Sequence, residues 1–263
     1  MATLTMTNPA KPSVTEKRAA FRRLHESGFF LLPNAWDGGS AVRLAALGFK
    51  AIASTSAGAA WAAGKQDGEL GINAVLEHLR VLVAATPLPV NADFENGFAD
   101  RPEDVARNVS LAVETGVAAL SIEDWSGSAM YAPELAVERL RAARAAIDAV
   151  DPSVMLIGRN ENFRVPGMPV ADSIARAVAY AEAGADCLFV PFILDPGAVA
   201  ELVAAVAPKP VNVVVGEYDD RIRTFATLGV RRCSVGGSLA RRVWSAFDEA
   251  AQLLKRCEVA AVV

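Results

Sequence analysis

Cysteine is scarce in this 263-residue chain, and the placement of the three present excludes several chemistries. Cys187, Cys233 and Cys257 are odd in number and scattered, with no CxxC pair and no zinc-type spacing. That argues against a disulfide framework or a thiolate metal site, and for reduced thiols in a cytoplasm. Histidine is rarer. His25 and His78 are the only two, neither belongs to an HExxH, and both fall on predicted helices away from strand ends, which reads as surface. No GxGxxG follows an apolar run, which weakens any dinucleotide-binding reading. No Lys/Arg block stands out and the net charge is −4 with a pI of 5.4, so neither nucleic acid nor a membrane surface is an expected partner. No apolar run approaches the ~20 residues needed to span a bilayer. The opening MATLTMTNPAKPSV has no apolar signal core, and residues 1–12 are expected to be disordered.

What is abundant is apolar sequence in short pieces. The chain is 52% hydrophobic with a mean hydropathy of +0.27, enough for one large domain over residues 13–263. One joint recurs. LAALGFKAI (44–52), AVETGVAAL (112–120), AYAEAGADCL (179–188) and FATLGVRRC (225–233) each end a helical pattern in Gly and open an apolar run. Gly just past a helix fits a left-handed cap leading into a strand.

Eight runs read as strands: 29–33, 50–54, 88–94, 118–123, 154–159, 186–191, 210–215 and 231–236. Helical patterns fill 37–47, 73–85, 102–116, 134–149, 169–184, 196–206 and 219–228 between them. Strands alternating with helices are parallel βα units, and eight of them at this length give a (β/α)8 barrel of the TIM type. An open doubly wound sheet is the alternative. An extra helix is expected at 13–27, and a long amphipathic one at 238–257, where Leu239, Val243, Trp244, Phe247 and Leu254 fall near helical spacing. That last helix packs either on its own barrel or on a neighbouring subunit.

Strand ends are where barrels keep their chemistry. The run VNADFENGFAD (90–100) ends in Asp93 and Glu95, two apart, which in a strand would point the same way, into whatever Val90 and Ala92 help bury. The next strand ends in Glu123 and Asp124. Asp93, Glu95 and Glu123 thus converge on one mouth, and like charges that close repel strongly. A divalent cation resolves this, and an all-oxygen donor set suits Mg2+ or Mn2+. The competing reading is a ring of salt-bridged rim acids. Arg159, one strand further on, can clamp a substrate carboxylate or neutralise the acids. Thr55, Ser56 and Ala57 offer hydroxyls and backbone N–H groups to an anion, or form a plain small-residue turn. Gly236, Gly237 and Ser238 follow the last strand, again as an anion loop or a plain turn.

At this point the motifs resemble a known family. ADFENGF, SIED, GRNENF and the loop GKQDGELG (64–71), with LLPNAWD (31–37) and STSAG (54–58), are similar to the isocitrate lyase / phosphoenolpyruvate mutase superfamily. The resemblance runs from the first strand to SVGGSLARR. It implies a (β/α)8 barrel, usually a tetramer with the eighth helix swapped between paired subunits, acting through Mg2+ on a 2-oxo acid or its enolate. By position, Asp93, Glu95 and Glu123 match the metal-site acids. Arg159, Thr55 and Ser56 match the residues holding the substrate carboxylate. Asp67 matches an aspartate on a loop over the site, and Asn212 looks like a pocket residue. One departure bears on the reaction. Where family lyases carry Lys-[Lys/Arg]-Cys-Gly-His, this chain reads DWSGSAMYAPEL (124–135), with no Cys, His or Lys. The lysine and asparagine of the phosphonomutases are missing from that loop too, so neither named activity carries over, and the resemblance is to a phosphoenolpyruvate mutase-like branch lacking the lyase Cys loop.

The shared half of the family chemistry remains. A 2-oxo acid chelated by the cation forms an enolate when the bond beyond its α-carbon breaks. Decarboxylation of oxaloacetate or a similar β-keto acid needs the least further machinery, with Asp67, Glu123 and Arg159 as the catalytic candidates. A C–C lyase acting on a 2-hydroxy di- or tricarboxylate is the close rival, and needs a base such as Asp67, Glu161 or a water at the metal. A phosphonopyruvate-type mutase comes third, and a 2-oxo acid binding protein on an enzyme fold is the non-catalytic alternative.

Overall fold

A computed structural model describes residues 11–216 and 218–257. The expected disorder of the N-terminus lies outside it up to residue 10.

The strands are β1 (Phe30–Leu32), β2 (Asn34–Ala35), β3 (Ile52–Ser54), β4 (Val90–Asp93), β5 (Ala119–Glu123), β6 (Met155–Arg159), β7 (Cys187–Phe189), β8 (Val211–Val214) and β9 (Arg232–Ser234). They form one parallel sheet in the order β1-β9-β8-β7-β6-β5-β4-β3-β2. This is the expected barrel with its first strand divided. Pro33 separates β1 from β2 and has no N–H for a ladder. β1 then pairs with β9 and β2 with β3, so the two short pieces close the ring. The Pro33 carbonyl still accepts from Ala53 N at 2.9 Å, which carries the ladder across the break.

The helices are α1 (Val14–Glu26), α2 (Gly38–Ala46), α3 (Ser56–Ala62), α4 (Ile72–Ala85), α5 (Pro102–Glu114), α6 (Pro133–Val150), α7 (Val170–Glu182), α8 (Pro196–Val206), α9 (Arg221–Thr227) and α10 (Ser238–Arg256). All but α3 lie where the sequence predicts them. The STSAG stretch is therefore not only a turn: Thr55 Oγ1 accepts from Gly58 N at 3.3 Å and caps α3. A single 3-10 turn at Asn162–Arg164 was also not expected. None of the described helices is long and apolar enough to cross a membrane.

Strand alternation sorts the side chains into two layers. Val90, Ala92, Leu120, Ile122, Leu156 and Leu188 face outward and pack with the helices. Phe30, Leu32, Ala53, Ala119, Met155, Ile157 and Cys187 fill the barrel interior. The parallel strands are covered on both faces, which explains β5 being buried at every position.

Helix α1 closes the bottom of this interior. Ser13 and Glu16 form its capping box, and Phe21 inserts its ring against Phe30 at a centroid distance of 6.4 Å. Full burial of a side chain of that size stabilises by roughly 2 kcal/mol. Its cations tie the plug down. Lys17 Nζ donates to the carbonyls of Val83 and Thr86 at the end of α4, and Arg18 donates to the carbonyls of Val113 in the last turn of α5 and Val117 just beyond it. His25 belongs to the plug as well: it is buried, not at the surface as its helical position suggested.

Helix α10 packs on its own barrel only through its first turn, where Leu239 meets the core. Its one buried residue is Ala240, whereas Val243, Phe247, Leu253 and Leu254 are exposed.

Candidate active site

The alternation argument for the paired acids stops at Asp93. Asp93 shares the inward face with Asn91, while Val90 and Ala92 point into the helix layer. Glu95 lies past the end of β4, in the left-handed region at φ 47°. A non-glycine residue there costs on the order of 1–3 kcal/mol, which is a mark of functional placement. Its carbonyl accepts from Glu123 N at 2.9 Å, so the turn after β4 and the end of β5 are held as one unit.

Arg159, at the end of β6, is the hub. Its Nη1 is 2.9 Å from Asp93 Oδ1, its Nη2 3.3 Å from Glu123 Oε2 and its Nε 2.5 Å from Glu161 Oε1. Burial opposes the charge, but these three carboxylates outweigh it and hold the guanidinium firmly protonated. Glu161 Oε2 also accepts from Arg164 Nε at 2.7 Å. Asp93 Oδ2 accepts the Ser56 N–H at 2.9 Å, so that amide serves the acid in this structure.

The acids are in excess. Asp67, Asp93, Glu95, Glu123 and Glu161 gather at the mouth, and among the described residues only Arg159 and Arg164 form ion pairs with any of them. Burial, with added repulsion from Asp93 and Asp67, pushes the Glu95 carboxyl up to about 7. Burial raises Glu123 strongly as well, against the pull of Arg159. Among the described residues no three His, Cys, Asp or Glu side chains gather into a ready-made ion nest, because Arg159 stands between the acids. The donor set nevertheless fits a hard divalent cation: it is all oxygen, it carries surplus negative charge, and Glu95 makes no ion pair among the described residues.

Two lobes of one cleft meet here. The inner lobe, about 220 Å³, is lined by Thr55, Ser56, Ala57, Asp93, Arg159 and Asn212 among others. That is below the ~300–1,000 Å³ of drug-sized sites. The outer lobe carries Glu95, Glu123 and Trp125. Exposed Asp67, on the loop between α3 and α4, borders both. All of the expected site residues thus border the cleft. Asn212 lies deepest, its Oδ1 accepting from Arg232 Nε at 3.1 Å and its Nδ2 donating to Ser234 Oγ at 3.2 Å.

Asp124 turns away from the mouth. It accepts from Asn160 Nδ2 at 2.7 Å and Glu161 N at 2.8 Å, and from the Tyr180 hydroxyl and Arg176. It therefore positions the β6 loop that carries Glu161. The sequence reading missed Arg164, Trp125, Arg232 and Arg241 as cleft residues. A signal existed for Arg232, a charge at the head of a strand. None existed for Arg164, Trp125 and Arg241, whose places depend on loop and helix geometry.

Residues 21–255 match the phosphoenolpyruvate phosphomutase family. An uncharacterized protein of Mycobacterium tuberculosis (strain CDC 1551 / Oshkosh) is 34% identical over 221 residues, 82% of this chain and 81% of that one. The oxaloacetate decarboxylase of Rhodopseudomonas palustris (strain BisB5) is 30% identical over 231 residues, 86% of this chain and 72% of that one. The 2-methylisocitrate lyase of Salmonella typhimurium (strain LT2) is 35% identical over 190 residues, 65% of this chain and 60% of that one. A crystal structure from Burkholderia cenocepacia J2315 superposes with a TM-score of 0.89 at 42% identity, covering 95% of each chain.

Proposed function

The chain belongs to the phosphoenolpyruvate phosphomutase family, within a superfamily of lyases and mutases, and from that premise we propose that it is a Mg2+-dependent oxaloacetate-type decarboxylase. The observation carrying this reading is the surplus of buried carboxylate around Arg159, at the mouth of a cavity sized for a small acid. Asp93, Glu95 and Glu123 would hold the cation, Mg2+ or Mn2+. When bound, the cation supplies Lewis-acid stabilisation of negative charge developing on the keto oxygen of a 2-oxo acid.

The chain's own groups do the rest. Arg159 exchanges an acid partner for the substrate's α-carboxylate and fixes it in a two-point grip. Thr55, Ser56 and Ala57 border the same end and limit its orientation. With Glu123 ionised on the cation, Asp67 on its exposed loop is the group placed to pass a proton from water to carbon after CO2 leaves. Loss of CO2 from a β-keto acid requires no base to ionise an alcohol, and the loop at 124–132 provides none. Its Trp125–Met130 bridge closes a short hairpin of Ser, Gly, Ala and Met.

A C–C lyase is the second reading, favoured by the methylisocitrate lyase relative. It needs a base, and Glu161 is committed to Arg159 and Arg164. A homo-oligomer, dimer or tetramer, accompanies either reading: the bare apolar face of α10 would be covered by a second copy, as the swapped helix of the family implies. A cytoplasmic location is proposed with it, since Cys187, Cys233 and Cys257 are all unpaired.

The test is pyruvate release from oxaloacetate with Mg2+ and with excess chelator, after subtraction of the protein-free metal rate. Chelator-sensitive release that Arg159→Ala abolishes is expected. No release above background would remove the decarboxylase and leave the lyase to be assayed with 2-hydroxy diacids.

A further inference from the structure

The inner lobe of the cleft ends on a charged side chain that the acid site does not use. Arg232 is the first residue of β9 and is 1% exposed. Its Nε donates to Asn212 Oδ1 at 3.1 Å and its Nη1 to Asn91 Oδ1 at 3.2 Å. The same Nη1 is 3.3 Å from His25 Nε2, and the guanidinium stands 5.8 Å from the centroid of the Phe21 ring. Each of these partners is neutral. His25 Nδ1 is 2.8 Å from the Phe21 carbonyl, which puts the ring proton there and leaves Nε2 as the acceptor. Burial and the nearby Arg232 charge push the His25 imidazole down to about 3, so it is uncharged at neutral pH.

No carboxylate pairs with Arg232 among the described residues, and its Nη2 makes no hydrogen bond among them. Burying a guanidinium without an anion costs several kcal/mol. Two amides and an imidazole satisfy donors but do not neutralise charge. A residue needed only to fill the barrel would be apolar, as Met155, Ile157 and Cys187 are in the same interior. Unlike those three, Arg232 borders the cavity, together with Asn91, Asn212, Ser121 and Ser234. The floor is therefore cationic and the mouth anionic.

The spacing between them suits a short diacid. Asn91 precedes Asp93 by two residues on β4, so the floor amide lies about 7 Å along the strand from the strand-end acid. A four-carbon diacid holds its carboxyl carbons about 4 Å apart, leaving one hydrogen-bond length for the floor donors.

We propose that Arg232, held by Asn91 and Asn212, is a floor subsite for the second carboxylate of a four-carbon 2-oxo diacid. The proposal rests on the reading of the mouth as the 2-oxo acid end, and it makes Arg232 the residue that separates diacids from monoacids.

Calorimetric titrations of the full chain in Mg2+ test it with three probes: oxalate, which fills the mouth only, pyruvate, and 3,3-difluorooxaloacetate. The native chain should bind the four-carbon diacid on the order of 10- to 100-fold more tightly than pyruvate. Arg232→Met should erase that preference and leave oxalate affinity within a few-fold. Should the methionine variant fail to fold, Asn212→Leu must show the same selective loss. Equal affinity of the native chain for pyruvate and the diacid, or a preference that survives in both variants, would overturn the floor subsite alone. Absence of Mg2+-dependent oxalate binding by the native chain would overturn the reading of the mouth, and the floor proposal with it.

Discussion

Nη1 of Arg159 lies 2.9 Å from Oδ1 of Asp93, so in this structure the charge that balances the strand-end acids is supplied by the chain itself. The pair belongs to a buried cluster in which the same guanidinium also meets Glu123 and Glu161. Removing one member of such a cluster strands the others, and a broken buried pair costs about 3 kcal/mol. Arg159→Met should therefore lower the metal-free stability by that amount in urea unfolding. Added Mg2+ should recover part of it, because a cation bound only by the folded acids stabilises by mass action. A variant as stable as the native chain without metal would show that the acids do not repel one another.

The acids also predict how metal binding depends on pH. Glu95 has its carboxyl raised to about 7 by burial, with Asp93 and Asp67 adding to it. A cation must displace that proton, so Mg2+ affinity rises as pH passes through 7. The Mg2+-induced rise in melting temperature should be small at pH 6 and several degrees larger at pH 8. Without metal the sign reverses. The folded chain holds this proton more tightly than the unfolded chain, whose value is near 4.5, so the group's contribution falls as pH rises from 4.5 through 7. A metal-induced shift of equal size at both pH values would place the ion away from Glu95.

His25 gives a second pH dependence at the other end of the barrel. Its imidazole is held near 3, against 6.5 when unfolded, chiefly by burial. Between those values the unfolded chain binds the extra proton. The stability due to His25 is thus complete above pH 6.5 and is lost as pH falls toward 3, by about 1.4 kcal/mol per unit. Comparing the native chain with His25→Leu from pH 7 to pH 5 isolates this. The native chain should lose stability more steeply, and parallel curves would mean that the ring stays neutral in both states.

Much of this fold is legible in the sequence because a barrel repeats one local rule. Each apolar run is too short to be anything but a strand, and Gly116, Gly184 and Gly229, all at positive φ, mark the helix ends between them. Asp93, Glu123 and Arg159 could be placed at the mouth because a strand end is a position that pattern alone defines. Glu95 borders the outer lobe for a reason other than strand alternation, since its direction comes from a left-handed turn. The burial of His25 was not legible, and for Arg232 the sequence showed only a charge at the head of a strand. A helix pattern does not say that α1 plugs the barrel, and only that plug turns a histidine on a helix and an arginine in a strand into buried neighbours 3.3 Å apart.

Gly58 joins the fold to the site. A Cβ there would lie 2.7 Å from Thr55 Cγ2 and 2.8 Å from Trp36 Cβ, with Ala240 of α10 at 3.2 Å. None of these is the free end of a flexible side chain, so something in the frame must move. Overpacking of this kind costs roughly 1–3 kcal/mol. The displaced segment carries Thr55 and the Ser56 N–H that holds Asp93. Gly58→Ala should therefore raise KM for the 2-oxo acid as well as lower the melting temperature. A loss of stability with unchanged KM would detach the start of α3 from the substrate's carboxylate end.

Helix α10 carries the last prediction. Arg241 near its start borders the inner cavity and stands 5.3 Å from the Trp61 ring, so this end of the helix belongs to the cleft. Further along, Phe247 is 60% exposed and Leu254 75%, on the same helix as the half-buried Trp244, whose ring meets Phe247 at 5.8 Å. An apolar face of this length on a helix that barely touches its own barrel costs free energy in water unless something covers it. A second copy can do so reciprocally, and symmetric pairing is the common closed solution. Sedimentation of the native chain should give a dimer or a multiple of it, and Phe247→Glu with Leu254→Glu should shift it to monomer. Because Arg241 is fixed through the same helix, the monomer should also bind oxalate more weakly. Native chain that sediments as a monomer would leave α10 uncovered and remove the second copy from the proposal.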